Sequence, residues 1–78
     1  MNNTINIGSV VRPKGKGAIV FGSQDCKEMS GILVREEKAL VLDTYERPWR
    51  GGVVLECKVL TPKGTMGWIM TRELELVE

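Results

Sequence analysis

The chain contains no histidine and only two cysteines. These shortages limit the kinds of catalytic and metal-binding sites that it can form. Histidine is the commonest general base in proteins and the usual activator of a serine or cysteine nucleophile. A zinc site without histidine would need an unusual set of ligands. We therefore interpret the chain as non-enzymatic, and we expect no catalytic residues, no metal site and no cofactor.

The two cysteines, Cys26 and Cys57, lie far apart in sequence and do not form a CxxC pair. A disulfide between them is one alternative, but a reducing compartment disfavours it. The chain also lacks an apolar run long enough to span a membrane. Residues 1–4 have neither the basic region nor the apolar core of a signal peptide. We expect a soluble, cytoplasmic protein.

Neither sign of charge dominates the composition. The formal net charge is +1 over 78 residues, so bulk electrostatics favour neither nucleic acid nor an anionic membrane as a partner. A chain of this length has room for one domain, which we place at residues 1–78.

The strongest structural signal is the C-terminal run Val59–Val77. In its turn, Thr61–Gly64, Pro62 presets the backbone for the second position and Gly64 can adopt the left-handed conformation that closes a hairpin. Residues 55–59 before the turn alternate apolar and charged side chains, which is typical of a half-buried strand. The turn chemistry and the alternation together predict a β-hairpin here.

The ending Gly67–Val77, GWIMTRELELV, resembles the ending of Src-homology-3 domains. There, a Gly-aromatic-aliphatic strand runs into one turn of 3-10 helix, which Thr71 would cap here, and then into a Val/Leu-x-Leu strand. The resemblance implies a small barrel in which Gly67 permits close strand packing. Three residues would face its core: Ile69, Leu74 and Leu76. Peptide-binding members carry Pro where this chain has Met70 and Tyr where it has Glu73, so recognition of proline-rich peptides is not carried over.

Three segments share a second pattern: Gly8–Arg12, Gly31–Val34 and the stretch from Val59 to Trp68. They resemble small barrel proteins of bacteriophages, which show a Gly-x-x-Val-Arg opening, a Gly-Ile-Val strand and a Val-Leu-x-x-x-Gly-x-x-Gly-Trp close. Gly8–Gly17 also resembles the KOW motif of ribosomal and transcription proteins. The first resemblance implies a phage or mobile-element origin, and the second implies nucleic-acid binding.

Short apolar segments separated by turns predict an all-β, Src-homology-3-like barrel of five or six strands with one 3-10 turn before the last strand. The segments around Ile19 and Ile32 either compete for the place of the second barrel strand or pair as the arms of one hairpin. We expect residues 46–52 to form a loop. The predicted core consists of Val10, Ile32, Val41, Leu55, Val59, Ile69, Leu74 and Leu76.

The densest basic stretch is Arg12–Gly17, which proline and two glycines mark as a loop. Lys14 and Lys16 are candidates for contact with an anion such as a phosphate, because mobile lysines and glycine N–H groups would meet there. The spacing does not match a P-loop, and a solvated turn between strands is the simpler alternative.

Trp49 lies between Arg47 and Arg50 in the predicted 46–52 loop. An exposed tryptophan with flanking arginines suits stacking on a base or gripping a protein partner. Alternatively, Trp49 folds back as a lid on one end of the barrel, since a chain with so few aromatic rings needs them in its core.

Two runs of three apolar residues, Leu40–Leu42 and Val53–Leu55, occur in predicted strands. Neighbours in a strand point to opposite faces, so both faces of these strands carry apolar side chains. A lone barrel has one interior, and we expect an outward set of Leu40, Leu42 and Val54. This set either lies under the 46–52 loop or forms the interface of a homo-oligomer, most simply a two-fold dimer.

Three classes of function remain. We favour a non-enzymatic structural or protein-binding module of phage or mobile-element origin. The alternative is a nucleic-acid-binding barrel that uses Lys14, Lys16, Arg47 and Arg50. An enzyme ranks last, because the adjacent Glu36 and Glu37 would point to opposite faces of a strand or be solvated in a turn.

Overall fold

The structure is a computed structural model that describes residues 4–22 and 29–77, with the backbone alone at Trp49. Its elements follow in chain order: β1 (Val10–Pro13), β2 (Gly17–Phe21), β3 (Met29–Val34), β4 (Ala39–Trp49), β5 (Gly52–Leu60), β6 (Met66–Met70), one 3-10 turn (Thr71–Glu73) and β7 (Leu74–Leu76). The prediction of an all-β chain with one 3-10 turn before the last strand is confirmed. The described residues form seven strands rather than five or six, because the segments around Ile19 and Ile32 both form strands.

All seven strands belong to one antiparallel sheet in the order β3-β2-β6-β5-β4-β1-β7, and this sheet curls into a half-barrel. The two longest strands, β4 and β5, lie at its centre. We call the concave side the inner face and the convex side the outer face. Period-two alternation sends successive side chains of each strand to these two faces in turn.

The inner face holds a cluster of buried side chains: Val11, Ala18, Val20, Leu33, Ala39, Val41, Cys57, Val59, Ile69 and Leu74. Four predicted core residues belong to this cluster, namely Val41, Val59, Ile69 and Leu74. Leu76 packs against the cluster and is partly buried. The alternation in these strands therefore predicted which side chains would turn inward.

The other three core predictions are wrong. Ile32 is 55% exposed, because its neighbour Leu33 takes the inward position on β3. Leu55 is 51% exposed although it has the inward parity of β5. Val10 is half-buried on the outer face, opposite Leu40.

The segments around Ile19 and Ile32 pair directly as the arms of one hairpin, so they do not compete for a place in the sheet. The register shifts by one residue where Val20 faces Gly31 but Phe21 faces Met29. The shift leaves an extra residue beside Gly31, which is a β-bulge at the place where the glycine allows one.

The predicted C-terminal turn forms as expected. Gly64 has a φ of +83°, and its N–H donates to the Thr61 carbonyl oxygen at 3.0 Å. Gly67 has no room for a side chain, since a Cβ there would lie 2.7 Å from the Phe21 carbonyl oxygen. The prediction that Thr71 caps the 3-10 turn is wrong: Met70 occupies that position and no side chain caps it.

The prediction of a loop at residues 46–52 is also wrong. β4 continues to Trp49, β5 begins at Gly52, and only two residues turn the chain. Arg50 has a φ of +47° and Gly51 a φ of +80°. Positive φ at both positions matches the right-handed twist of the strands, so a two-residue turn suffices. Residues 46–55 therefore form a straight extension of the β4–β5 hairpin, which we call the hairpin arm.

Candidate functional site

The hairpin arm overhangs a groove of about 720 Å³. One wall is the arm, with Val53 and Leu55 lining it. The opposite wall comes from the N-terminal segment around Ile5 and from the 3-10 turn at Thr71 and Arg72. The groove therefore lies between a β-ribbon and irregular backbone at one end of the half-barrel.

The N-terminal wall is held in place by backbone hydrogen bonds to β4. The N–H of Gly8 donates to the Val41 carbonyl oxygen at 2.8 Å, and the N–H of Val41 donates to the Ser9 carbonyl oxygen at 2.9 Å. Gly8 has a φ of +91°, so the chain turns sharply there and sends Ile5 back over the core. Ile5 is partly buried and lines the groove from below.

The apolar wall of the groove is open to solvent. Val53 and Leu55 are exposed, even though they have the same inward parity as Cys57 and Val59. In the described register β6 pairs with β5 only as far as Glu56, so Val53 and Leu55 lie beyond the end of β6 and line the groove. Adjacent exposed aliphatic side chains on a concave surface are typical of a site that meets another molecule.

The outer face of the arm contains a buried ion pair. An Nη2 atom of Arg47 lies 3.1 Å from Oε2 of Glu56, whose side chain has no exposed surface. Glu56 faces Tyr45 on β4 and Met70 on β6, and the Tyr45 ring packs edge-on against Trp68 with 6.3 Å between centroids. Although Glu56 lies on the face opposite Cys57 and Val59, it is buried because it lies between these two neighbouring strands.

This ion pair changes the interpretation of the predicted tryptophan-arginine cluster. Arg47 is directed at Glu56 across the strands, so it does not flank Trp49 as part of an exposed grip. Arg50 is exposed at the tip of the arm. The side chain of Trp49 lies outside the described residues, so the anchor and lid alternatives both remain predictions.

The basic turn gains a third cation that the sequence did not indicate. Lys14 and Lys16 are exposed between β1 and β2. Arg35 arrives from the β3–β4 turn and its Nη1 donates to the carbonyl oxygens of Lys14 at 2.8 Å and Gly15 at 3.4 Å. Lys14 also lines the groove. Arg35 was missed because only the pairing of β2 with β3 brings it to this turn.

The carboxylates considered for catalysis have structural contacts. Glu37 accepts a hydrogen bond from the Val34 N–H at 2.9 Å, and the Glu37 N–H donates to the Val34 carbonyl oxygen, also at 2.9 Å. These two bonds occupy the outward-facing backbone groups at the end of the edge strand β3. Glu36 is exposed in the same turn. Among the described residues, no three His, Cys, Asp or Glu side chains are grouped as a metal site.

Cys57 is a free thiol in the buried cluster, and Cys26 lies outside the described residues. The pKa of the Cys57 thiol is raised to about 11, mainly because the thiol is buried. A hydrogen bond with Thr71 lowers this pKa, and the nearby Glu56 charge raises it further. A thiol with such a pKa stays protonated at neutral pH and is a poor nucleophile.

The predicted outward set does not form one patch. Leu40 is exposed and faces Leu60, whereas Leu42 and Val54 are half-buried. Val54 lies opposite Arg47 on the arm. Six positions of β5 separate residues 54 and 60, which is about 20 Å of strand. Leu40 and Val54 therefore belong to different surfaces.

Comparison of the chain with family models, with curated proteins and with solved structures yields no match. Within residues 4–22 and 29–77, no helix is long and apolar enough to cross a membrane.

Proposed function

We propose that this chain is a non-enzymatic module that binds a protein segment in the groove under the hairpin arm. The observation that carries the proposal is the exposure of Val53 and Leu55 on the groove wall. Both side chains have the parity of core residues, and a partner that filled the groove would bury them as the barrel core buries Val59.

The lining of the groove indicates the chemistry of the segment. The aliphatic lining consists of Ile5, Val53 and Leu55. The charged lining includes Lys14 and Arg72 as well as Glu46 on the arm, so an acidic group of the segment would lie at the two cations. A short extended segment with one or two aliphatic side chains and an adjacent acidic residue would complement this arrangement. Charges of this kind mainly set specificity and association rate, while the apolar contact provides most of the affinity.

The non-enzymatic part of the proposal is supported by the positions of the reactive side chains. Glu37 caps the backbone of Val34, Glu75 pairs with Arg12 at 2.7 Å, and Glu56 pairs with Arg47. Each contact stabilises the fold and competes with a role in proton transfer.

A peptide selection tests the groove. We expect a library of random extended peptides, selected on the immobilised chain, to yield sequences with an aliphatic residue beside an acidic one. These peptides should bind Leu55→Ser at least about tenfold more weakly, since about 1.4 kcal/mol of buried contact is lost. Ile32→Ser is the matched control, because Ile32 is equally exposed but lies on β3, outside the groove lining. Peptides that bind Leu55→Ser as well as the parent chain would rule out the groove as the site.

The basic turn supports a second candidate, a nucleic-acid-binding barrel. Lys14 and Lys16 lie on one turn and Arg35 reaches it from the β3–β4 turn, although Glu73 and Glu75 are close to it in the fold. Binding should weaken steeply with salt, by about one released counterion for each phosphate neutralised. A gel-shift series at low salt with single- and double-stranded RNA and DNA tests this candidate. No retardation at the lowest salt concentration would eliminate it.

The resemblances to Src-homology-3 domain endings and to barrel proteins of bacteriophages belong to this proposal too. They suggest a phage or mobile-element origin for the module. Phage genes beside the coding sequence would support that origin. Ribosomal or transcription genes in the same place would favour the nucleic-acid candidate.

A further inference from the structure

Four apolar side chains form a row across four adjacent strands on the outer face of the sheet. The register places Val10 opposite Leu40, Leu40 opposite Leu60, and Leu60 opposite Met66. The row therefore crosses β1, β4, β5 and β6 side by side. It lies at the opposite end of β5 from the arm and on the opposite face from the buried cluster. We call Val10, Leu40, Leu60 and Met66 the outer row.

The outer row does not contribute to the chain's own core. Its inward-facing neighbours along the strands, Val11, Val41 and Val59, already belong to the buried cluster. Leu40, Leu60 and Met66 keep between 37% and 55% of their surface exposed. A contiguous apolar row of this kind, on a sheet face with no covering element described, is typical of an interface.

A pair of opposite charges lies beside the row. Asp43 on β4 faces Lys58 on β5, because an irregularity in the register after Val41 moves Asp43 into that position. Both residues are on the outer face, one step along the strands from Leu40 and Leu60. On β4, the apolar Leu40 is therefore followed by the acidic Asp43. On β5, Leu60 and the basic Lys58 lie directly opposite these two residues.

We infer that this face binds a second copy of the chain about a two-fold axis that runs between β4 and β5, parallel to the strands. Such an axis lays β4 of one copy over β5 of the other. Leu40 then meets Leu60 of the second copy, and Asp43 meets Lys58 of the second copy, twice over. The surface is complementary to itself, which a two-fold interface requires.

The size and charge of the chain suit this assembly. Its two longer dimensions are 34 and 34 Å, so one face is large enough for the roughly 800 Å² that each partner buries in a standard interface. A net charge of +1 imposes little repulsion between copies. Sheets that pack face to face with their strands nearly aligned are a common arrangement. The assembly is independent of the groove, so either proposal can fail alone.

Sedimentation velocity across a dilution series measures the assembly. We expect the parent chain to shift from monomer to dimer as its concentration rises. Leu60→Lys and Met66→Lys should each remain monomeric, with far-ultraviolet circular dichroism unchanged. Ile32→Lys is the matched control, since Ile32 is an equally exposed outer-face residue away from the row, and it should dimerise like the parent. A parent chain that stays monomeric at the highest concentration, or a Met66→Lys dimer, would overturn the inference.

Two charge-reversed variants test the axis itself. Asp43→Lys and Lys58→Asp should each dimerise about tenfold more weakly or worse, because each would bring like charges together across the axis. Mixed in equal amounts, the two variants should form a heterodimer, since every contact across the axis is then between opposite charges. Repulsion within each chain is unchanged by mixing, so folding effects cannot imitate this result. If the parent dimerises but the mixture does not, Asp43 and Lys58 do not meet and this axis is wrong.

Discussion

Val59 and Leu55 lie on the same strand and have the same inward parity, yet Val59 has no exposed surface and Leu55 leaves 51% exposed. Beside Val59, the neighbouring strands supply Val41 and Ile69, which belong to the same buried cluster. Leu55, in contrast, lines the groove. Alternation therefore specifies the face of a side chain, whereas burial depends on what the rest of the chain brings to that face.

The outer face shows the reverse trend along the same strand. Glu56, at the base of the arm, is fully buried by Arg47 and by side chains of the neighbouring strands. Leu60, at the other end of β5, remains partly exposed. A glutamate is thus inside and a leucine outside, because a guanidinium is available at residue 56 and no covering element is described at residue 60. In the β4–β5 hairpin, the outer face is therefore buried next to the arm, whereas the inner face is buried at the other end.

The largest effect should come from breaking the ion pair of the arm. Arg47→Met leaves the buried Glu56 carboxylate without its guanidinium partner, and we expect the free energy of unfolding to fall by about 3–5 kcal/mol. Replacing both residues, as Arg47→Met with Glu56→Leu, should restore most of that loss. Urea denaturation of the single and double variants measures the difference. A single-variant loss under about 1 kcal/mol would mean that the arm unfolds separately from the barrel.

A slightly smaller loss of stability should distinguish a substitution on the inner face of the sheet from one on the outer face. Ile69→Ala should lower the free energy of unfolding by about 2–5 kcal/mol, because it leaves a cavity in the buried cluster. Ile32→Ala, on an exposed side chain of the same type, should change it by less than about 1 kcal/mol. Similar losses for the two variants, in urea denaturation, would contradict the assignment of faces.

The Cys57 thiol predicts a pH dependence of stability. Its pKa is about 11 in the folded chain, against 9.0 for an ordinary thiol, mainly because it is buried. The unfolded chain therefore loses this proton at lower pH than the folded chain. The contribution of the protonated thiol to the free energy of unfolding is fully present below about pH 9. It is lost as the pH rises toward 11, which lowers the free energy of unfolding by about 2–3 kcal/mol. Cys57→Ala should lack this component, so its stability should fall less between pH 9 and 11. Equal slopes for the two proteins would contradict the burial of the thiol.

The smallest effect on stability should occur at the groove. Leu55→Ala should change the free energy of unfolding by less than about 1 kcal/mol, because the side chain is half in solvent. Val59→Ala, four residues along the same face, should cost clearly more. Thermal melts of the two variants sharpen the comparison between arm and barrel. A large loss for Leu55→Ala would show that the arm folds down and that the groove is closed in solution.

The turns were the most predictable features, since their chemistry is local. The sequence Thr61–Gly64 closed the hairpin as expected, and Gly67 proved to be the site of closest strand approach. The 46–52 segment was wrongly predicted to be a loop. Arg50 adopts a positive φ, which is uncommon for arginine, and that conformation allows the two-residue turn. No local signal other than the Arg50-Gly51 pair indicated it.

The candidate site was less predictable than the fold. Lys14 and Arg50 are exposed, but the groove itself was not anticipated. Its walls come from the N-terminal segment, the arm and the 3-10 turn, which are distant in sequence. The outer row was predicted only at Leu40, because Leu60 and Met66 join it through the register of β5 with β4 and β6.

Local signals in the sequence specify that the chain is all-β, where its tight C-terminal turn lies, and which face most strand residues occupy. These properties depend on the φ preferences of proline and glycine and on the two-residue period of a strand, so they act within a few residues. The exposure of Leu55 and the burial of Glu56 instead follow from long-range contacts. Burial depends on which distant strands lie alongside and how far each extends, and here β4 and β5 extend beyond the rest of the sheet.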